Sequence, residues 1–251
     1  MKPRVNETAV KTILSKSGIP GRKRCINPYV GCSHACRYCY ATFMKRFTGH
    51  IEPWGSFVDI RVNAPEVLRR QLKRAEKGGI IVSSVTDPYQ PVEAKYEITK
   101  KCLEVVALFK FPVDILTKSP LVLRDINIIS GLKDARAGLT ITTDDDKVRK
   151  IFEPGAPSIL SRIGALKKLH EAGIPTYVFI GPVLPMDPER LAREIRPYAD
   201  SVIIDRMNYA GKTKWLYKKY NIEKWLDNGF VDNIILRLRK SLSQVDVSVI
   251  C

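Results

Sequence analysis

No apolar run in this sequence approaches the ~18 residues of a membrane-spanning helix, so no membrane partner is expected. Residues 1–16 are polar and mixed and lack the apolar stretch of an export signal, which makes the cytoplasm the expected compartment. Low-complexity tracts, long linkers and fixed-period repeats are missing too, which argues against repeat arrays and disordered segments. Acidic side chains are scarce: 26 Asp and Glu stand against 42 Lys and Arg, a formal charge of +16. That excess is larger than solubility requires. It points to a polyanionic partner, DNA or RNA, or else to cations scattered over a solvated surface.

What is present suits one large domain: 251 residues, 45% of them hydrophobic, can enclose a full core. Six cysteines in a reducing compartment favour metal or redox use over disulfides. Short β-branched runs at residues 24–30, 79–85, 112–117, 138–142, 175–181 and 201–204 are predicted strands. Helical patterns fall between them, at 40–47, 98–109, 120–130, 159–172 and 188–198. In the fourth of these, Ile163, Leu166 and Leu169 share a stripe, and Gly173 and Pro175 stop the helix. Six strand–helix alternations predict an α/β fold with a parallel sheet, curled as a barrel segment or doubly wound, with function beyond the C-terminal strand ends.

After the first predicted strand the chain reads Asn-Pro-Tyr-Val-Gly-Cys-Ser-His-Ala-Cys-Arg-Tyr-Cys-Tyr over residues 27–40. Cys32, Cys36 and Cys39 put three thiols within eight residues, and iron–sulfur clusters take cysteine thiolates. A cubane normally takes four, so three leave one iron open. Zinc is the rival, because His34 or His50 could complete a Cys₃His site, although no second C-x₂-C follows.

This C-x₃-C-x₂-C spacing, with Tyr38 before the last cysteine, resembles the signature of the radical S-adenosylmethionine (SAM) superfamily. A narrower resemblance, to the spore photoproduct lyase-related branch, is carried by three strings: residues 27–32, Ser-Val-Thr-Asp-Pro-Tyr-Gln-Pro-Val-Glu at 84–93, and Glu-Pro-Gly-Ala-Pro at 153–157. The resemblance implies a partial (β/α)₆ TIM-like barrel over about residues 24–205, with a C-terminal helical extension over about 206–251, in a single domain. It also implies a [4Fe–4S] cluster, SAM chelating the open iron, and a low-potential electron donor such as ferredoxin or flavodoxin. Reductive cleavage of SAM then yields a 5′-deoxyadenosyl radical that abstracts hydrogen from substrate.

Carried over residue by residue, the resemblance assigns the metal to Cys32, Cys36 and Cys39. Tyr38, Tyr40, Thr86, Lys118, Thr140, Thr142, Arg162 and Ile180 become candidates for the SAM pocket. Thr86 follows the second strand, and Asp87 beside it either joins the pocket or starts a turn. Lys118 closes the third strand, near the ribose and carboxylate of SAM. Thr140 and Thr142 share one strand face, while Thr143 or Asp144 is expected to cap the next helix. Arg162 suits the SAM carboxylate, and Ile180-Gly181-Pro182 an adenine platform at which Gly181 permits close approach. Cys25 and Cys102 read as buried packing, and Cys251, the last residue, is expected to be mobile. One departure matters: Ser84 stands where the spore lyase has a hydrogen-donating cysteine, which argues against literal repair of the thymine lesion.

Beyond residue 205, aromatics interleave with lysines. Trp215, Tyr217 and Tyr220 offer stacking faces, with Lys214, Lys218 and Lys219 for phosphates, or the segment is an amphipathic helix packed on the core. Trp225, Phe230, Ile234, Ile235 and Leu238 form a core-like pattern, and residues 245–250 alternate like an edge strand. Three functions follow: radical SAM chemistry on a nucleic-acid base, the same chemistry on a small molecule or peptide, or a non-enzymatic zinc module that binds RNA.

Overall fold

The computed structural model describes residues 3–19 and 21–250. Cys251, expected to be mobile, lies outside the described residues. The strands are β1 (Arg4–Thr8), β2 (Leu14–Lys16), β3 (Arg24–Ile26), β4 (Tyr29–Val30), β5 (Phe57–Arg61), β6 (Ile80–Val82), β7 (Val113–Thr117), β8 (Ala135–Thr140), β9 (Thr176–Ile180), β10 (Ser201–Asp205) and β11 (Asp246–Ile250). The helices are α1 (Lys45–Thr48), α2 (Ala64–Leu72), α3 (Glu93–Tyr96), α4 (Ile98–Phe109), α5 (Ile126–Ser130), α6 (Asp146–Phe152), α7 (Ile159–Glu171), α8 (Pro188–Ile195), α9 (Ala210–Lys219) and α10 (Asn228–Ser241). A 3₁₀ turn, Tyr40–Met44, leads into α1.

The main sheet has eight strands in the order β11-β10-β9-β8-β7-β6-β3-β2. From β3 to β11 every pairing is parallel, and only β2 runs antiparallel to its neighbour. Each parallel strand lies beside the next one of the sheet along the chain, with no reversal. A doubly wound layer needs such a reversal, so that arrangement is excluded. The chain is an α/β protein built on a parallel sheet, and a small second sheet, β1-β5-β4, flanks the cysteine loop.

Local chemistry explains the elements. Ser158 caps α7 by accepting from the Ser161 amide, Leu166 and Leu169 are buried, and Gly173 leaves the helix at φ 71°. Asp187, followed by Pro188, starts α8 in the same way, and Asp227 starts α10. Helix α6 is capped by Asp145, which accepts from the Lys147 amide, and not by Thr143 or Asp144. Thr143 instead donates to Pro185 O, and Asp144 accepts from the Asp187 amide. The expected C-terminal helical extension contributes α9 and α10 and then β11, which adds a further parallel strand to the sheet. Among the described residues no helix is long and apolar enough to cross a membrane.

Candidate active site around the cysteine loop

The loop leaves β4 through Gly31, at φ 80°, where an added Cβ would sit 2.4 Å from Phe57 O. Only glycine can make that turn against the flanking sheet. The three strings singled out in the sequence then meet around the loop. Asn27 Oδ1 accepts from the Ser84 and Val85 amides at 2.9 and 3.2 Å. Gly31 O accepts from Thr86 Oγ1 at 2.7 Å and from Gln90 Nε2 at 3.0 Å, while the Ser33 amide donates to Gln90 Oε1. From the other side, the Gly155 amide donates to His34 O and the Arg37 amide to Phe152 O. The motif residues outside the loop are therefore its scaffold.

Cys32, Cys36 and Cys39 line one cavity of about 470 Å³, together with Thr86, Lys118 and Thr140. Strand alternation supplies its walls. On β7 and just beyond, Asp114, Leu116 and Lys118 face inward, and on β9 and just beyond Tyr177, Phe179 and Gly181 do. At the far end Asp114 closes the lumen by accepting from Arg22, Arg136 and Tyr177, at 3.0, 2.6 and 2.7 Å. A wider cleft of about 670 Å³ lies elsewhere, on α2 and β3, lined by Lys11, Arg24, Arg70 and Arg74. It holds no thiol, carboxylate or imidazole, so the smaller cavity is the candidate site.

Burial sets the protonation of the loop's thiols. Burial, with help from Asp87, pushes the Cys32 thiol up to about 12, and burial also raises Cys36 and Cys39. Left alone these are neutral thiols; a bound metal is what makes such a set thiolate. Burial works against the Lys118 ammonium, but its acidic neighbours, the Glu153 carboxylate at 3.9 Å among them, outweigh it and hold its pKa above the usual lysine value. Beside the three thiols the site therefore offers the Lys118 ammonium, with Arg136 and Arg206 also in the cavity wall, which fits an iron–sulfur cluster beside a carboxylate-bearing ligand. Zinc fits less well. His50 has both ring nitrogens committed, to Glu52 at 3.0 Å and Asp59 at 2.9 Å. His34, in the cavity wall, has Nδ1 3.3 Å from Asp87 Oδ2 but makes no hydrogen bond through either ring nitrogen, so it is the one imidazole still free to ligate. Among the described residues no three His, Cys, Asp or Glu side chains converge on one ion-sized point, whereas a cubane takes one thiolate per iron.

The structure brings Tyr38, Tyr40, Thr86, Lys118 and Thr140 to this cavity. Asp87 joins them and also makes its local turn, accepting from Tyr89 N, Thr117 Oγ1 and Lys118 N. Three candidates are placed elsewhere. Arg162 is fully buried on α7 and spends its guanidinium on Glu153, Thr140 O and Pro157 O, so it does not reach the cavity. Thr142 donates to Glu153 at 3.0 Å, because β8 ends at Thr140 and the alternation stops there. Ile180 points away from the lumen, being one residue out of phase with Phe179 and Gly181. Gly181 itself makes room for the Phe179 ring, which an added Cβ would meet at 2.3 Å.

Sequence reasoning missed Glu153 as a node. Burial raises its pKa, but Arg162, Lys118 and Tyr38 outweigh burial and hold it at about 2. Tyr38 and Thr142 donate to it, and Lys118 Nζ stands 3.9 Å away. The Asp114 closure was missed as well. Its signal was a carboxylate two and four residues before Leu116 and Lys118 in an otherwise apolar strand. Cys25 is buried as expected and donates to Ser84 Oγ at 3.2 Å, off the cavity wall. Tyr217 is fully buried against Phe152, which removes it as a stacking face, while Trp215 and Tyr220 remain exposed.

The family model of the radical SAM superfamily matches residues 26–196. An uncharacterized protein of Methanocaldococcus jannaschii is 33% identical over 241 residues, covering 92% of this chain and 91% of that protein. Spore photoproduct lyase, solved with a dinucleoside spore photoproduct, aligns with a TM-score of 0.70 at 15% identity, over 98% of this chain and 81% of that one. SuiB of Streptococcus suis, solved with its precursor peptide SuiA, aligns at 0.59 and 16% identity, over 90% and 48%. At such identities the two structural likenesses are likenesses of fold. With the family match spanning the cysteine loop and most of the sheet, this chain belongs to the radical SAM superfamily and is an enzyme.

Proposed function

We propose that Cys32, Cys36 and Cys39 hold a [4Fe–4S] cluster, that SAM binds beside it, and that the substrate is a base of DNA or RNA, modified by hydrogen abstraction. Three free thiols on the wall of one closed-ended cavity carry this reading. When bound and reduced, the cluster and SAM supply a 5′-deoxyadenosyl radical. The chain's own residues bind, orient and exclude. Lys118 offers a permanent ammonium to a carboxylate, and Thr86 and Thr140 add hydroxyls on the same wall. Asp114, Arg136 and Tyr177 shut the far end, so reactants enter from the cysteine side. The six central strands, β3 and β6 to β10, form the partial (β/α)₆ barrel around them in one domain. A ferredoxin or flavodoxin is the proposed reductant.

The net charge of +16 and the dinucleoside ligand of the lyase structure favour nucleic acid over a small molecule or peptide. Ser84 in the cavity wall, with its hydroxyl engaged by Cys25, favours base modification over lesion repair. Anaerobic reconstitution should give about four irons and four sulfides, and reduced protein should release methionine and 5′-deoxyadenosine. Stoichiometric zinc without iron uptake would overturn the cofactor assignment. Binding to single strands should weaken with salt at a log–log slope of about −3.5 if about five phosphates are neutralised. A flat response would promote a small molecule or peptide.

A further inference from the structure

Helical spacing along residues 40–47 should place Tyr40, Phe43 and Phe47 on one stripe, and such a stripe ordinarily faces a core. Here it faces solvent: Phe47 is 74% exposed, and Tyr40, Phe43 and Tyr209 are exposed as well. The rings form a continuous track. Phe47 meets Phe43 edge-on at 6.2 Å, Phe43 stacks with Tyr40 at 6.3 Å and 28°, and Tyr40 stacks with Tyr209 at 6.3 Å and 18°. Tyr40 and Tyr209 form part of the wall of the cysteine cavity, so the track runs from open surface to the place of chemistry. Contiguous exposed apolar surface of this kind marks an interaction site.

The two segments that carry it bear only positive charge, with Asp205 and Glu52 lying just outside them. Residues 37–51 and 206–220, which carry the track, contain eight lysines and arginines and no carboxylate. Lys212 Nζ is anchored to Cys39 O and Thr42 Oγ1, both at 2.7 Å, and lies 5.2 Å from the Tyr209 ring centre. Arg37 lies over Trp215 at 5.5 Å. Aromatic faces interleaved with fixed cations match a polyanion that carries its own flat rings, which is an unpaired nucleic-acid strand. A duplex buries its base faces in its own stack and cannot use the rings.

The geometry points to Tyr209, Tyr40, Phe43 and Phe47 as a stacking track that leads single-stranded DNA or RNA, unpaired base first, into the cysteine cavity. This assignment rests on the nucleic-acid reading of the site and adds the strand state and the route. The test is fluorescence anisotropy of labelled single- and double-stranded oligonucleotides of equal length, from 50 to 300 mM salt. Wild type should prefer the single strand. Phe47→Ala should weaken single-strand binding about five- to hundredfold, leave the salt slope unchanged, and melt at the wild-type temperature. Phe47→Trp should restore affinity, and Phe43→Ala should repeat the loss. If wild type binds single strands steeply with salt but both alanine variants match it, the track is wrong and the nucleic-acid reading stands. Loss of that binding only on Arg70→Glu/Arg74→Glu in the wide basic cleft would place the strand there instead. A polyglutamate that competes as well as the oligonucleotide would reduce the track to charge alone. No salt-dependent binding by wild type at all would remove the substrate reading itself.

Discussion

Around residues 32–39 the chain commits its polar atoms inward: Asn27, Thr86 and Gln90 hold one side of the loop, and Glu153 gathers Tyr38, Thr142 and Arg162 on the other. A few residues on, at Phe43 and Phe47, apolar rings stand in water beside lysines and arginines. The two regions touch at Tyr40, whose hydroxyl donates to Ser84 O while its ring belongs to the rim. The scaffold is over-determined, so a change there should cost stability or the metal. The rim is held by few contacts, so a change there should leave the fold and alter only what binds.

The largest effect should come from the loop itself. Replacing Cys32, Cys36 or Cys39 by Ala should abolish cluster assembly, read as iron, sulfide and visible absorbance, whereas Cys25→Ala, Cys102→Ala and Cys251→Ala should keep it. Iron retained by any of the first three variants would break the assignment.

Next comes the pair behind the wall. Arg162→Ala leaves the Glu153 carboxylate buried without its main partner, at a cost of about 3–5 kcal/mol in denaturant unfolding. The sign with pH follows from Glu153, whose folded pKa lies below the ordinary carboxylate value. Its contribution is full above that ordinary value, near 4.5, and drains away as pH falls toward about 2. Wild type and Glu153→Gln should therefore converge in unfolding temperature across that window, and a gap that widens in acid would contradict the pairing.

Lys118→Ala sharpens the contrast, because Lys118 shares Glu153 with Arg162 but faces the cavity. It should weaken SAM binding by about 1.5–3 kcal/mol, roughly ten- to over a hundredfold, in calorimetric titration, with iron content unchanged. Equal losses of SAM affinity in Lys118→Ala and Arg162→Ala, at equal stability, would erase the distinction between wall and scaffold.

The smallest effect belongs to the outer face of α9. Lys218→Glu/Lys219→Glu should lower the magnitude of the salt slope for nucleic acid by about one for each phosphate the lysines had neutralised, without changing the unfolding temperature. An unaltered slope would confine the strand to the cavity mouth.

Much of this architecture was legible in the sequence because its signals are local. The run of residues 98–109 forms α4 over the expected span, and 113–117 of the expected 112–117 form β7. Apolar periodicity and proline or glycine punctuation are carried by neighbours in the chain. Thiol spacing is local too, so the cysteine loop could be recognised before any fold was known. Strands β1, β2 and β5 went unseen, since β1 and β2 are largely exposed, β2 is also short, and β5 is split by Asp59.

What the sequence by itself determined, then, is the alternation of strands and helices, the three thiols, and the three strings that surround them. Which cations face the cavity was decided only in three dimensions. Lys118 and Arg162 read alike as isolated basic residues, and it is Glu153, brought from the end of α6, that buries one and leaves the other at the wall. The same holds for the aromatic residues Tyr40 and Tyr217: one lies at the rim, the other inside against Phe152. Burial and charge pairing depend on partners distant along the chain, and that information exists only once the sheet has closed around them.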